Sequence, residues 1–238
     1  MLFADIAQAG SDAARILYYP RVWEDENAHT GRTWKRLMRA AELEYDVLLR
    51  PLEGKVDERT VLTAAFAETG FSRVAWLDHG GSLLHSLDDL LLSLPPAIVA
   101  KPWRAEGRMW ILEPAVSEAE RLLESEKSVH ELYAEHTLVF PQHPWFLETA
   151  EFRRSEHAAY LRPAQTWEPV AVRDAVAYLS FRDPEVPMPW TQISGGVLER
   201  VRPRDSSDAE VWWMLYRKWE RSRADVCGLD LEAPEKAI

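Results

Sequence analysis

An acidic and a basic side chain stand together directly after a short apolar segment. Asp78 and His79 follow Val74-Ala75-Trp76-Leu77 and precede Gly80-Gly81, the pattern of a buried strand that ends in a tight loop. A carboxylate can hold a cation there, and an imidazole titrates near neutral pH, so the pair suits acid–base chemistry. The alternative is that Asp78 only caps the loop by accepting hydrogen bonds from its backbone amides.

Other side chains could assist such a site. His143, in Pro141-Gln142-His143-Pro144-Trp145, and Tyr178 are further candidates for an acid or base. Glu151 and Arg153 are candidates for substrate contacts, although an ion pair between them is the simpler interpretation. The chain has eleven tryptophans, and their rings could fill a core or wall a pocket for a flat ligand. The candidates for that wall are Trp76, Trp103, Trp110, Trp145 and Trp190.

Composition limits the classes of function that the chain can serve. The 238 residues carry a net charge of −11, and the sequence contains no cluster of Lys and Arg, so nucleic acid is not an expected partner. The single cysteine, Cys227, allows neither an internal disulfide nor a cysteine-rich zinc site. The sequence has no apolar segment of membrane-spanning length and no secretory signal pattern. We therefore expect a cytoplasmic protein that acts on a small molecule, with homo-oligomerisation left open.

The elements that must position these side chains alternate along the chain. Apolar strand patterns at Ile16–Tyr19 and Val74–Leu77 are separated by amphipathic helices, such as the one that carries Trp34, Leu37, Met38 and Ala41. This order predicts an α/β fold with a mostly parallel sheet flanked by helices. No linker interrupts the chain, so we expect one domain over 1–238 with a Pro- and Trp-rich carboxy-terminal wrap over about 141–238. Capping boxes are expected at Ser117 with Glu120 and at Ser207 with Glu210.

The segment from Arg73 to Leu90 carries a resemblance to a known family. Its strand, Asp78-His79-Gly80, and the following Leu87-Asp88-Asp89-Leu90 are similar to the central segment of glycogenin-like glycosyltransferases of family 8. In that family a buried strand ends in an Asp-x-Asp motif and an acidic Leu-rich helix follows. The resemblance implies a GT-A, Rossmann-like fold, in which two carboxylates hold a divalent ion against a sugar diphosphate.

Later segments resemble a branch of fungal N-acetylglucosaminyltransferase-like proteins within this group. They run in the same order as in that branch, which favours common ancestry over a chance match. The similar segments are Thr149-Ala150-Glu151-Phe152-Arg153, Pro187-Met188-Pro189-Trp190 and Val226-Cys227-Gly228-Leu229.

Four departures from the family pattern affect donor binding. Gly80 stands in place of the second carboxylate, Tyr178 falls near the metal-binding histidine, and Met188 replaces a lysine that would meet the diphosphate. The first nucleotide-binding strand also has no counterpart ahead of Met1. Together these changes imply a site without a bound metal. Tyr178, Met188 and Trp190 would make the former donor crevice less polar, which suits an apolar ligand.

Three hypotheses follow from this pattern. In the first, the scaffold has lost metal-dependent sugar-nucleotide transfer and is repurposed, with no cofactor, to cyclise, isomerise or eliminate on a largely apolar molecule in fungal specialised metabolism. In the second, it remains a glycosyltransferase that uses UDP-N-acetylglucosamine or a similar donor, with Mn²⁺ or Mg²⁺ where a metal is required. In the third, it is a non-catalytic binding protein.

Overall fold

The computed structural model describes residues 1–25, 31–105, 107–161, 165–191 and 195–228, and helices and strands alternate along them. The α/β prediction is therefore confirmed. In chain order the elements are α1 (Leu2–Gln8), β1 (Arg15–Pro20), α2 (Gly31–Tyr45), β2 (Val47–Leu52), α3 (Glu58–Ala67), β3 (Val74–Leu77), β4 (Gly81–Leu83), α4 (Asp88–Ser93), β5 (Val99–Pro102), β6 (Met109–Leu112), α5 (Val116–Glu124), α6 (Val129–Leu132), β7 (Thr137–Phe140), β8 (Phe146–Glu148), α7 (Pro169–Ala175), β9 (Tyr178–Ser180), α8 (Gly195–Val201) and α9 (Ser206–Cys227).

The chain divides into two compact units. The first unit contains 1–9, 78–87 and the carboxy-terminal part from Pro141, and the second contains 10–77 and 88–140. The candidate acid and base residues all lie in the first unit. The expected single domain over 1–238 stays a prediction.

The sheets are mixed, not mostly parallel. In the second unit β1 pairs with β2, and a four-stranded sheet has the order β3-β6-β5-β7. Strands joined through helices, such as β1 and β2 through α2, run parallel, whereas β5 and β6 are joined by the short segment 103–108 and run antiparallel. In the first unit the order is β4-β9-β8, with β4 antiparallel and β8 parallel to β9. The short connection explains the antiparallel pair of β5 and β6, whereas the antiparallel pairs β3–β6 and β4–β9 join strands that are distant in the sequence.

The core of the second unit packs α3 and α5 against the four-stranded sheet. Leu62, Phe66 and Leu122 are fully buried there. Asp57 caps α3 by accepting a hydrogen bond from the amide of Thr60 at 3.0 Å, the role that an aspartate directly before a helix favours. The strand β3 was expected to be fully buried, but all four of its residues are only partly buried.

The core of the first unit is built on one face of α9. Trp212, Leu215, Tyr216 and Trp219 repeat at helical spacing and are all buried, as their periodicity predicts. They pack against β8, β9 and the segments around them. Although α9 has 22 residues, no helix in the described ranges is apolar enough at the length needed to span a bilayer.

Both expected capping boxes are wrong. The helix α5 begins one residue before Ser117, after Ala115, and has no side-chain cap. In α9 the cap is Asp205, whose carboxylate accepts from the amide of Ser207 at 2.8 Å and also from the Ser207 hydroxyl at 2.6 Å. A carboxylate two residues earlier thus takes the capping role that the pattern gave to serine. A true capping box lies instead at Ser128 and Glu131, ahead of α6.

Candidate functional site

The turn after β3 holds a buried carboxylate that is fully engaged by neighbouring donors. The Asp78 side chain is 3% exposed. Arg182 donates through Nε to Asp78 Oδ2 and through Nη2 to Asp78 Oδ1, the latter at 2.9 Å. Nδ1 of His79 lies 3.1 Å from Oδ1, and the amide of Gly80 donates to Oδ2 at 3.3 Å. This is a two-pronged Arg–carboxylate ion pair with an imidazole at its edge.

The donors around Asp78 decide its charge. Burial alone would raise the pKa of this carboxyl group, but hydrogen bonds and charges from His79 and Arg182 hold the pKa well below its usual range. The hydrogen bond to Asp78 in turn raises the pKa of the Arg182 guanidinium. The pKa of Asp78 is lower in the folded protein than in the unfolded chain, where an aspartate has a pKa of about 4. The ion pair therefore stabilises the fold fully above that pH, and this contribution to the free energy of unfolding is lost only in stronger acid. The ion pair therefore persists throughout the physiological pH range.

Strand pairing brings Arg182 to Asp78 across 104 positions of sequence. Gly81 in β4 lies opposite Ser180 in β9, and the amide of Phe181 donates to the carbonyl of Gly80 at 2.8 Å. The next residue along, Arg182, then lies beside the turn that carries Asp78. No motif marks Arg182 in the sequence, and sequence analysis missed it because its partner is fixed by this register.

The residue after His79 must be small. A Cβ at position 80 would lie 2.8 Å from Asp78 Oδ2, 3.2 Å from Cη2 of Trp190 and 3.4 Å from Cγ of Arg182. Position 80 is where the family motif has its second carboxylate. Arg182 and Trp190 thus fill the space in which that side chain would begin. The position of Arg182 beside Asp78 therefore requires a glycine at position 80.

An aromatic ring borders the exposed edge of the ion pair. The centroid of the Trp190 ring lies 5.4 Å from that of the His79 ring and 6.1 Å from that of the Trp219 ring. The His79 side chain is 75% exposed, whereas Trp190 is half-buried. Asp78, His79, Gly80, Arg182 and Trp190 are named the Asp78 cluster below.

The Asp78 cluster does not fit a divalent cation. Magnesium and manganese prefer several carboxylate oxygens, and this cluster offers one carboxylate whose two oxygens both accept from Arg182. Across the described ranges, His, Cys, Asp and Glu nowhere gather in a group of three or more that could hold a metal ion. A metal at Asp78 would have to displace the guanidinium, so no chemical step is derived through one.

Tyr178 lies beneath the cluster and not at its surface. Its side chain is fully buried, and its hydroxyl donates to the backbone carbonyl of Asp78 at 2.5 Å. The buried phenol of Tyr178 therefore stabilises the turn that carries Asp78 through this hydrogen bond. Trp145 is linked to it through the backbone, because its carbonyl accepts from the Tyr178 amide at 3.0 Å. Met188 is half-buried and its carbonyl accepts from the Thr191 amide, in the turn that carries Trp190.

The remaining predicted acid, base and charged residues of the first unit, His143, Glu151 and Arg153, each contact other partners outside the Asp78 cluster. The expected ion pair between Glu151 and Arg153 is wrong, because each has another partner. Arg153 donates to Asp183 and Glu185, at 2.6 and 2.8 Å. Glu151 accepts from other side chains of its own loop: its carboxylate lies 3.2 Å from Nε of Arg154 and 3.2 Å from Nδ1 of His157. His143 contacts the Tyr160 ring edge-on at 5.5 Å.

Three of the predicted pocket tryptophans lie in the second unit. Trp76 and Trp110 are register partners in the antiparallel pair of β3 and β6. Trp110 is 1% exposed, and its indole donates to Glu58 at 2.9 Å, so it is a core residue there. Trp103 is 41% exposed and carries the Arg104 guanidinium over its ring at 4.2 Å.

Comparison with solved structures defines the fold class. The chain is similar to the glycosyltransferase GlyE of Streptococcus pneumoniae, with a TM-score of 0.53, over 99% of this chain and 62% of that one. Their sequences are 13% identical, so the likeness concerns the fold. The structure thus has the GT-A-like fold that the resemblance implies.

Sequence relatives agree with this assignment. Two proteins named glucose N-acetyltransferase 1, from Aspergillus fumigatus and Gibberella zeae, are each 27% identical over 95% of this chain. The chain spans 72% of the first relative and 58% of the second. No protein-family model matches the chain. The chain thus has a GT-A-like fold and is similar in sequence to proteins named glucose N-acetyltransferase 1.

Proposed function

We propose that the chain is a sugar-transferring enzyme that works at the Asp78 cluster without a divalent metal. The observation that carries this proposal is the ion pair of Asp78 with Arg182. A guanidinium is a permanent cation, and here it occupies both oxygens that a metal ion would need. The names of the sequence relatives, glucose N-acetyltransferase 1, support a sugar as the substrate class.

Local polarity separates this proposal from the hypothesis of an apolar substrate. The accessible part of the cluster consists of an imidazole, a guanidinium edge and one indole ring. An apolar molecule would desolvate the two polar groups without giving them hydrogen-bond partners, which costs free energy. A hydroxylated ligand would supply those partners. Cyclisation or isomerisation of an apolar molecule is therefore less favoured than sugar chemistry.

Ligand titrations test the proposal. We expect glucose, N-acetylglucosamine or UDP-N-acetylglucosamine to raise the melting temperature, and to do so equally in EDTA and in excess Mn²⁺. A ligand that binds only the folded protein contributes ~2–4 kcal/mol at concentrations of 100 to 1,000 times Kd. Thermal-shift assays followed by calorimetry measure both the effect and its metal dependence, with UDP and GDP as sugar-free comparisons.

Two outcomes would contradict the proposal in different ways. Stabilisation by UDP that appears only with Mn²⁺ would favour an ordinary metal-dependent glycosyltransferase. No response to any sugar or sugar nucleotide would remove sugar chemistry altogether and favour a non-catalytic binding protein or an apolar substrate.

A further inference from the structure

The exposed edge of the Asp78 cluster retains hydrogen-bonding capacity after its internal bonds are made. Arg182 uses Nε and Nη2 on Asp78, and its Nη1 has no partner among the residues that the structure describes. His79 uses Nδ1 on Asp78, which leaves Nε2 for a ligand. The two side chains are 39% and 75% exposed, so both groups are accessible in the first unit.

An aromatic surface lies beside these two groups. The Trp190 ring contacts the ring of Trp219, which is 7% exposed, and the ring of His79. An indole that contacts two neighbouring rings and is only half-buried offers apolar area to a ligand at small entropic cost. The C–H groups of a pyranose ring match such an area, while the ring's hydroxyls reach polar groups at its rim.

The charge balance at the cluster disfavours a phosphate as the ligand. The charge of Arg182 is cancelled by Asp78, so the pair attracts an anion far less than a free guanidinium or a metal ion would. The whole chain carries a net charge of −11, which repels a diphosphate further. An uncharged ligand avoids this penalty and still uses the directional donors.

We infer that the exposed edge of the Asp78 cluster is a subsite for an uncharged hexopyranose ring. The ring lies on Trp190, and its hydroxyls bond to Nη1 of Arg182 and to Nε2 of His79. Gly80 is part of the subsite because a Cβ there would crowd both Asp78 Oδ2, at 2.8 Å, and the Trp190 ring, at 3.2 Å. This inference rests on the proposed function and names the part of the substrate that the cluster recognises.

Sugar binding to single-residue variants tests the subsite. Saturation-transfer NMR and calorimetry would measure glucose, N-acetylglucosamine, UDP and UDP-N-acetylglucosamine on the wild type and on Trp190→Ala, Trp190→Phe and His79→Ala. We expect at least a tenfold weaker hexose affinity in Trp190→Ala and a three- to tenfold loss in His79→Ala. Trp190→Phe, which keeps an aromatic face, should stay within threefold of the wild type. His85→Ala is the matched control, because His85 is also exposed and lies only six residues from His79.

The outcomes distinguish the subsite from the proposed function. Hexose binding that Trp190→Ala leaves unchanged would overturn the subsite alone, as would UDP competing with hexose for it. No binding of any sugar ligand to the wild type would overturn both. If UDP-N-acetylglucosamine binds more tightly than N-acetylglucosamine while UDP alone binds weakly, the ring is recognised as part of a nucleotide sugar. Equal affinities for the two identify a free or terminal sugar, and either result supports the subsite.

Discussion

Arg182→Ala is expected to lower the free energy of unfolding by about 3 kcal/mol. The reason is that Asp78, only 3% exposed, would keep its charge after losing both hydrogen bonds from Arg182. The cost lies at the low end for a broken buried ion pair, because Arg182 itself is partly exposed and His79 and Gly80 still contact the carboxylate. For a chain of this length the melting temperature should fall by roughly 6–12 °C, which calorimetry or circular dichroism would measure.

A double variant separates the ion pair from general packing effects. Asp78→Asn with Arg182→Met removes both charges and keeps most of the volume, so it should be more stable than Arg182→Ala. Arg173→Ala is the matched control: Arg173 also pairs with an aspartate, but Asp174 is 59% exposed, and the expected loss is under about 1 kcal/mol. Equal losses in Arg173→Ala and Arg182→Ala would contradict the special role of the Asp78 ion pair.

Gly81→Ala should destabilise the first unit by more than about 3 kcal/mol, or prevent its folding. A Cβ at Gly81 would lie 2.2 Å from the Tyr178 hydroxyl, 2.3 Å from Cζ of the same ring and 2.6 Å from the carbonyl oxygen of Leu179. The last contact is with backbone in β9, so no side-chain rotation can relieve it. Opening β4 from β9 would also pull Arg182 away from Asp78. Chemical denaturation monitored by tryptophan fluorescence would measure the loss.

Two further variants test whether the clash with Tyr178 and Leu179 causes the expected loss of stability. Gly196→Ala is the control in the same unit, since a Cβ there meets nothing within 4 Å, and it should be neutral or slightly stabilising in α8. Tyr178→Phe combined with Gly81→Ala should not restore stability, because Cζ and the Leu179 carbonyl remain in place. Recovery in that double variant would show that the hydroxyl alone sets the requirement for glycine.

Much of the framework could be predicted because it depends on local patterns. The buried face of α9 follows from the spacing of Trp212, Leu215, Tyr216 and Trp219, and the cap of α3 follows from Asp57. The turn at Asp78 was predicted from a strand pattern followed by two glycines. Each of these signals lies within a short continuous segment of the sequence.

What could not be predicted depends on contacts between distant segments. Arg182 reaches Asp78 only because β4 and β9 pair in one register, which no short-range pattern specifies. The same limit applies to Arg153, whose partners are Asp183 and Glu185 and not the nearby Glu151. The capping box expected at Ser207 was wrong for another reason, because the carboxylate of Asp205 caps α9 in its place.

Arg182 occupies both carboxylate oxygens of Asp78, so direct Mn²⁺ binding is the simplest test of whether Asp78 can hold a metal ion. Electron paramagnetic resonance of Mn²⁺ mixed with the wild-type protein at millimolar concentration should show the free hexaaqua signal. With UDP present, which binds Mn²⁺ by itself, the signal should match that of Mn²⁺ and UDP without protein. The account predicts the same free signal for Asp78→Asn, since the carboxylate is already held by Arg182. A bound Mn²⁺ signal in the wild type that disappears in Asp78→Asn would contradict it.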